Sequence, residues 1–442
     1  MKTTEEGLVR GIRRWDLLAI AINGIIGAGI FGLPSDVFAR IGSYSLIAFG
    51  ACALVVTLII VCFAEVGSRF NETGGPYLYA REAFGPTVAF EVGWLIWLAR
   101  LTAFAANCNL LVSYLGYFLP GATSGASRVI VIVLVVVSLT SVNLLGVRET
   151  AIVSNVFTVG KLIPLLIFIG AGFFFLNPQN YSFTTQPEYA PFSQSVLKLI
   201  YAFTGFEMAA IPAGETRDPR RHLPFALLIA IGVVAVFYVS IQLVCIGTFP
   251  GLAGSQRPLA DAATQFLGGP GGAMISAGAL ISITGNLNIV LLSGSRVPFA
   301  MAEQKQLPSF IARVHKRFFT PDAAILVTAA VMLVLTLFST FIGALTISAI
   351  ARLVTYATTC AALLVFRRQK DAPPAQFKVR GGTIAAIACL ILAAWLLSNS
   401  TGTEALHALI AAAIGIVIYL SYKLGVRGKK PRGEQEQEIE TT

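Results

Sequence analysis

Apolar runs of membrane length recur along almost the whole chain, separated by short polar connections. A helix needs roughly 20 apolar residues to cross the hydrocarbon of a bilayer. On that measure the pattern predicts twelve helical spans, at about 15–38, 43–68, 87–118, 128–146, 150–176, 193–213, 223–249, 269–300, 322–340, 343–366, 380–398 and 405–424. The first run is unusual. Its stretch "INGIIGAGIF", residues 22–31, places Gly24, Gly27 and Gly29 at mid-span, where each glycine costs a helix about 1 kcal/mol relative to alanine. Span 6 carries "GFEMAAIP". In both runs a glycine is followed seven residues later by a proline, Gly27 to Pro34 and Gly205 to Pro212. Spans 1 and 6 enter from opposite sides, so two interrupted spans at matching places suggest two halves related by an inverted repeat.

A helix that unwinds inside the bilayer frees N–H and C=O groups, each costing several kcal/mol in lipid. Such a break is tolerable where those groups face a cavity and meet a polar ligand. Half-helix N-termini suit a carboxylate, and half-helix C-termini offer carbonyls to an ammonium. A solute bearing both groups on one carbon, an α-amino acid, satisfies both ends. The same glycines also suit close helix packing, as small residues do in membranes. From this stretch alone both readings stand.

Composition agrees with a membrane protein. Only 12% of the 442 residues are charged and 56% are hydrophobic, whereas a soluble domain carries about 25% charged residues. The net charge of +10 does not require nucleic acid. Of the 32 Lys and Arg, Arg40, Arg128, Lys198 and Arg257 fall in one set of connections or in the span ends next to them, and Arg100, Lys161, Arg296 and Arg352 fall within spans. The other 24 lie in the alternate connections, Arg148 among them, and in the two termini. By the positive-inside rule both termini are cytoplasmic. The longest outer connection, 177–192, has no Lys or Arg and reads as a turn-rich loop. The basic start precedes a retained span rather than a cleaved signal.

The six cysteines lie in apolar runs without CxxC pairs and read as buried small hydrophobes. His222, His315 and His407 stand apart at span ends, without metal-ligand spacing. No metal and no cofactor is expected. The spans hold no paired aspartates, serine–histidine set or clustered histidines, so an embedded enzyme is not the expectation. No nucleotide-binding motif appears.

"INGIIGAGIFGLP" followed by "FAEVGSRFNETGGPYLYAREAFGP" resembles the amino acid–polyamine–organocation transporters. The likeness continues through "VFTVGKLIPL", "YAFTGFEMAAIPAGETRDPRRHLP" and "GSRVPFAMAEQKQLPSF" and covers nearly the whole chain. The resemblance implies an all-α, LeuT-type fold of twelve transmembrane helices with a 5+5 inverted repeat, helices 1 and 6 being unwound at mid-membrane. It implies a secondary transporter in the cytoplasmic (inner) membrane, working by proton symport or amino acid exchange. An amino acid sensor of the same fold, or a carrier of polyamines or other amines, are the alternatives. The layout is then a cytoplasmic N-terminus (1–14), repeat one (about 15–176), repeat two (about 193–366), helices 11 and 12 (about 380–424) and a disordered cytoplasmic tail (425–442). Oligomeric state is left open.

By resemblance to the arginine/agmatine antiporter, backbone amides at Ala28 and Gly29 meet the substrate carboxylate. The serine usual at the first of these is Ala28 here, which removes a hydroxyl but keeps the backbone donor. Carbonyls of Ile25, Tyr201 and Thr204 hold the ammonium, with Gly27, Phe203 and Gly205 beside them. Tyr201 stands where that antiporter has a gating tryptophan. Lys161 takes the place of the second sodium ion of LeuT-type symporters and joins spans 1, 5 and 8. It serves either as a proton carrier or as a fixed strut. Glu207 follows the span 6 break and matches a glutamate linked to pH response. Ionisable residues inside a membrane are functional by default and usually paired. Arg100, midway along span 3, either receives a second substrate carboxylate or pairs internally with Glu207 or Glu91. The internal pair is favoured because an unpaired buried arginine costs too much. Arg352 poses the same question toward the outer half. Glu65 and Arg69, at the cytoplasmic end of span 2, are assigned to gating or topology. The substrate lies between spans 1, 3, 6, 8 and 10.

Overall fold

The structure, a computed structural model, describes residues 13–71, 74–145, 151–210 and 216–427. Arg148, Pro212, most of the N-terminal segment and the tail from 428 fall outside the described residues. The described chain forms the helices α1 (Arg14–Ile25), α2 (Gly29–Ile41), α3 (Ser45–Gly67), α4 (Pro76–Phe84), α5 (Pro86–Leu115), α6 (Gly125–Leu145) and α7 (Ala151–Gly172). These are followed by α8 (Tyr189–Phe203), α9 (Pro219–Thr248), α10 (Pro258–Glu303), α11 (Asp322–Phe338), α12 (Phe341–Arg368), α13 (Gly382–Ser398) and α14 (Gly402–Arg427). No β-strand occurs among the described residues.

Among the described residues, seven helical stretches are long and apolar enough to cross a membrane, and three shorter apolar helices lie at Gly160–Phe175, Asp322–Phe338 and Gly382–Ser398. Large apolar side chains such as Leu134, Val236, Ile391 and Leu409 are at least 60% exposed. An apolar surface of that extent is unfavourable in water and matches hydrocarbon. The helices are layered. In α5 83% of the apolar window is buried, against 22% in α6 and 11% in α14. Helix α5 is therefore the central post, with α10 and α12 packed along it, while α6 and α14 face outward.

Four departures from the sequence pattern have local causes. The connection around 69–81 is not all loop: Gly75 turns at φ 54°, Pro76 takes the first helical position, and α4 follows, packed on α5 and α12. Helix α10 starts at Pro258, well before the expected 269, and kinks at Gly268 (φ 67°) in the run "GGPGG". Helix α14 continues to Arg427, past the expected boundary at 424. The 177–192 segment contains a 3-10 turn at Pro178–Asn180 and the first turn of α8. It is tied down by Tyr181, whose hydroxyl donates to Leu243 O (2.8 Å), and by Ser182 N–H on Ser43 Oγ (2.9 Å).

All six cysteines are buried, and the sulfurs of Cys62, Cys360 and Cys389 lie within 4.8 Å of one another where α3, α12 and α13 meet. One turn away, fully buried Glu65 accepts two hydrogen bonds from Arg367 (2.8 and 2.6 Å) and one from the Val379 N–H (2.9 Å), with Arg69 3.6 Å away. This carboxylate ties α3 to α12 and to the chain entering α13. Glu65→Ala strands Arg367 and Arg69 and is expected to cost about 3–5 kcal/mol. A thermal unfolding midpoint in detergent equal to that of the unaltered protein would contradict this role.

Candidate substrate site between two helix breaks

Helix α1 stops at Ile25. Ile26 adopts φ −72°, ψ 84°, an inverse γ-turn that brings the Gly27 N–H onto Ile25 O (2.7 Å). Helix α2 then starts at Gly29, so its first-turn N–H groups have no helical carbonyl behind them. The N–H groups of Ala28, Gly29 and Ile30 have no acceptor among the described residues. Helix α8 likewise stops at Phe203. Thr204 is extended, and its Oγ1 donates back to Tyr201 O (2.8 Å). Gly205 turns at φ 109°, and a 3-10 turn covers Phe206–Ala209.

The two breaks touch backbone to backbone. A Cβ on Gly24 would lie 2.6 Å from Gly205 O, and one on Gly205 would collide with the Gly24 carbonyl. A Cβ on Gly29 would lie 2.8 Å from Ala202 Cα. The glycines thus serve both of the expected purposes, close approach and interruption, at one place. Tyr238 of α9 sits beneath the contact, its hydroxyl 3.0 Å from Ile25 O and 3.1 Å from Ala202 O. Lys161 donates to Asn23 O (2.8 Å) and Ile26 O (2.6 Å), so it binds the end of α1 directly.

Between the breaks lies a cavity of about 30 Å³. Ile25, Gly27, Ala28, Gly29, Tyr201, Thr204 and Gly205 line it, together with Arg100, Asn107, Asn286 and Arg352. All five expected spans contribute. A volume of about 10–15 Å³ holds one water, so this is a contracted state with room for no more than two or so. A bridge closes one side: the Tyr201 hydroxyl donates to Asn107 Oδ1, and Asn107 Nδ2 donates to Asn286 Oδ1 (2.7 Å). Beyond it, a separate recess of about 760 Å³ is lined by Asn109, Arg128, Arg257 and Asp261. On the opposite side, Arg100 and Arg352 also line a vestibule of about 540 Å³ that extends past Glu207 to Tyr77 and Gln304.

Glu207 organises the second break. Its Oε2 accepts from the Gly205 N–H (2.9 Å) and the Tyr356 hydroxyl (2.8 Å). Its Oε1 pairs with Arg352 Nη1 and lies 3.6 Å from Arg100 Nη2. Phe63 and Phe206 wall Tyr356 in, at ring centroid distances of 5.4 and 5.0 Å.

The chain matches the amino acid permease family over residues 12–419. It belongs to that family. Among the permease's relatives, a serine/threonine exchanger of Bacillus subtilis is 32% identical over 352 residues, covering 77% of this chain and 79% of the relative. A branched-chain amino acid permease of the same organism is 26% identical, covering 95% of this chain and 94% of its own. A methylthioribose transporter, also of B. subtilis, is 26% identical and covered to 95% on both sides. The permease is accordingly a multi-pass membrane transporter and not an enzyme.

One expected lining residue lies elsewhere. Phe203 does not line the cavity. It is buried against Tyr238 and Phe49, with ring centroids 5.0 and 6.5 Å away. It follows Tyr201 by two residues, about 200° around the helix, and so points away from the break. Arg352, which poses the same question as Arg100, pairs with Glu207, and Arg100 lies 3.6 Å from the same carboxylate. Tyr238, Tyr356, Asn107 and Asn286 were not anticipated. Each is a polar residue within an apolar run, and nothing local marks it.

Gly205→Ala forces a side chain into left-handed backbone, a cost of about 1–3 kcal/mol, and into the Gly24 carbonyl. Folded yield and melting temperature are both expected to fall sharply. A variant that melts and transports like the unaltered permease would disprove the backbone contact.

Proposed function

We propose that this permease is a twelve-span secondary transporter of α-amino acids that works by alternating access. The carrying observation is the pair of facing breaks around one cavity, at Ile25–Gly29 and Phe203–Phe206. Unpartnered N–H groups at the start of α2 suit the substrate carboxylate, and carbonyls of Ile25, Tyr201 and Thr204 suit its ammonium. The permease's likeness to a serine/threonine exchanger and a branched-chain amino acid permease supports amino acids as the cargo.

In this reading α1 with α2 forms span 1 and α8 starts span 6. Neither α1 nor α8 reaches spanning length, because each stops at its break. The remaining spans are the long and short apolar helices. Two five-span repeats, about 15–176 and 193–366, are followed by two further helices at about 380–424, with the interruptions near the bilayer midplane. The charge asymmetry along the sequence supports cytoplasmic termini and an inner-membrane location. The vestibule of about 540 Å³ is then the inward path and the recess of about 760 Å³ the outward one. The Tyr201–Asn107–Asn286 bridge is the gate between that recess and the substrate.

Lys161 couples the cycle to protons. Its two hydrogen bonds hold the end of α1, and losing the ammonium proton weakens both. Proteoliposomes preloaded with amino acid are expected to take up the labelled compound faster than empty ones. Failure with all twenty amino acids would end the transporter reading, and binding without movement would indicate a sensor of the same fold. Lys161→Met is expected to abolish uptake driven by an imposed proton gradient while leaving exchange measurable. Unchanged gradient-driven uptake would remove the lysine from the coupling.

A further inference from the structure

We propose that the preferred substrate carries a second carboxylate, and that Arg100 receives it. The inference rests on the reading above, in which the helix breaks hold the α-ammonium and α-carboxylate, and adds the side chain's partner.

Two guanidinium groups, Arg100 and Arg352, face one carboxylate, Glu207, in a cluster that is otherwise neutral: Tyr356, Ser348, Tyr201 and the Gly205 backbone. Arginine keeps its proton in proteins. The cluster therefore holds at least one positive charge that Glu207 does not balance. The two arginines are not equally served. Arg352 pairs closely with Glu207 and donates to Ser348 Oγ (3.4 Å). Arg100 is only 4% exposed, yet it makes no hydrogen bond among the described residues. Its one charge contact is the 3.6 Å approach to Glu207, beyond ordinary hydrogen-bond length. A buried guanidinium has five donors in a planar fork, and leaving them unmet is costly.

Arg100 lines the central cavity and the vestibule at once. A side chain leaving the helix breaks toward the vestibule meets the arginine before reaching open space. A carboxylate there completes the fork with paired charge-assisted hydrogen bonds and balances the surplus charge. A neutral side chain does neither, and a cationic one adds repulsion. Glutamate and aspartate are thus favoured over their near-isosteric amides.

The test is equilibrium binding of labelled L-glutamate, L-glutamine, L-aspartate and L-asparagine to the full chain in nanodiscs. Each acid is expected to bind at least about tenfold more tightly than its amide, the scale of one hydrogen bond to a charged group. In Arg100→Met the cluster becomes a balanced Arg352–Glu207 pair. There the acid-to-amide ratio should fall to about one while amide binding persists. Size-exclusion profiles report whether the variant folds. If Arg100→Met aggregates, Arg100→Lys, which keeps the charge and loses the fork, should lower the ratio partway. Amides or other neutral amino acids binding the unaltered permease as tightly as the acids would overturn this inference alone. So would an acid preference left untouched in a folded Arg100 variant. Binding of no amino acid would instead overturn the reading on which it rests.

Discussion

A peptide group buried in hydrocarbon must find a hydrogen-bond partner, and a helix that ends inside the bilayer breaks that rule twice. The permease ends two helices side by side in its core and then settles most of the debt locally. Among the last carbonyls of α1, Ile22 O accepts from the Ile26 N–H and Asn23 O from Lys161. Ile25 O has the Gly27 N–H, and Ile26 O has Lys161. At the end of α8, Thr204 serves Tyr201 O, and the one hydroxyl hydrogen of Tyr238 is shared between Ala202 O and Ile25 O. The acceptor ends are thus largely supplied by the chain itself. The donor end, at the start of α2, is left open toward the cavity. This asymmetry gives the empty site a positive character.

The charged residues extend the same logic outward. Glu207 reaches back to the Gly205 N–H, as the glutamate of a capping box reaches back to the N-cap N–H, and also anchors Arg352 and Tyr356. One carboxylate therefore joins the break after α8 to α12 and draws Arg100 of α5 toward it. Helix α5, the most buried post, also carries Asn107 on the other side of the cavity. One helix therefore contributes a side chain to the cavity on each side of the breaks.

Much of this was legible from the order of residues, for a physical reason. Bilayer thickness sets span length, so α3, α5, α9, α12 and α13 stand close to where the apolar runs place them. The glycines at 24, 27, 29 and 205 marked the breaks because their cost is local. Helix α4 was missed because nine residues of mixed polarity at a connection carry no length signal. The first part of α10 was missed because "GGPGG" reads as a stop, whereas the helix bends there and continues. Tyr238, Tyr356, Asn107 and Asn286 were illegible for a different reason. Their roles come into being only when helices distant in sequence meet. Phe203 was misplaced because adjacency along the chain is not adjacency around a helix.

The hydroxyl of Tyr238 has a single hydrogen to give and stands almost equidistant from two carbonyls, on Ile25 and Ala202. It can satisfy one of them at any moment. Turning that phenolic O–H moves its hydrogen bond from the end of α1 to the end of α8 without moving a heavy atom, at a scale of about 1 kcal/mol. Of the two, only Ile25 also lines the cavity, so the rotation that frees its carbonyl leaves an acceptor facing that space. One hydroxyl hydrogen thus serves the ends of two helices that stop side by side.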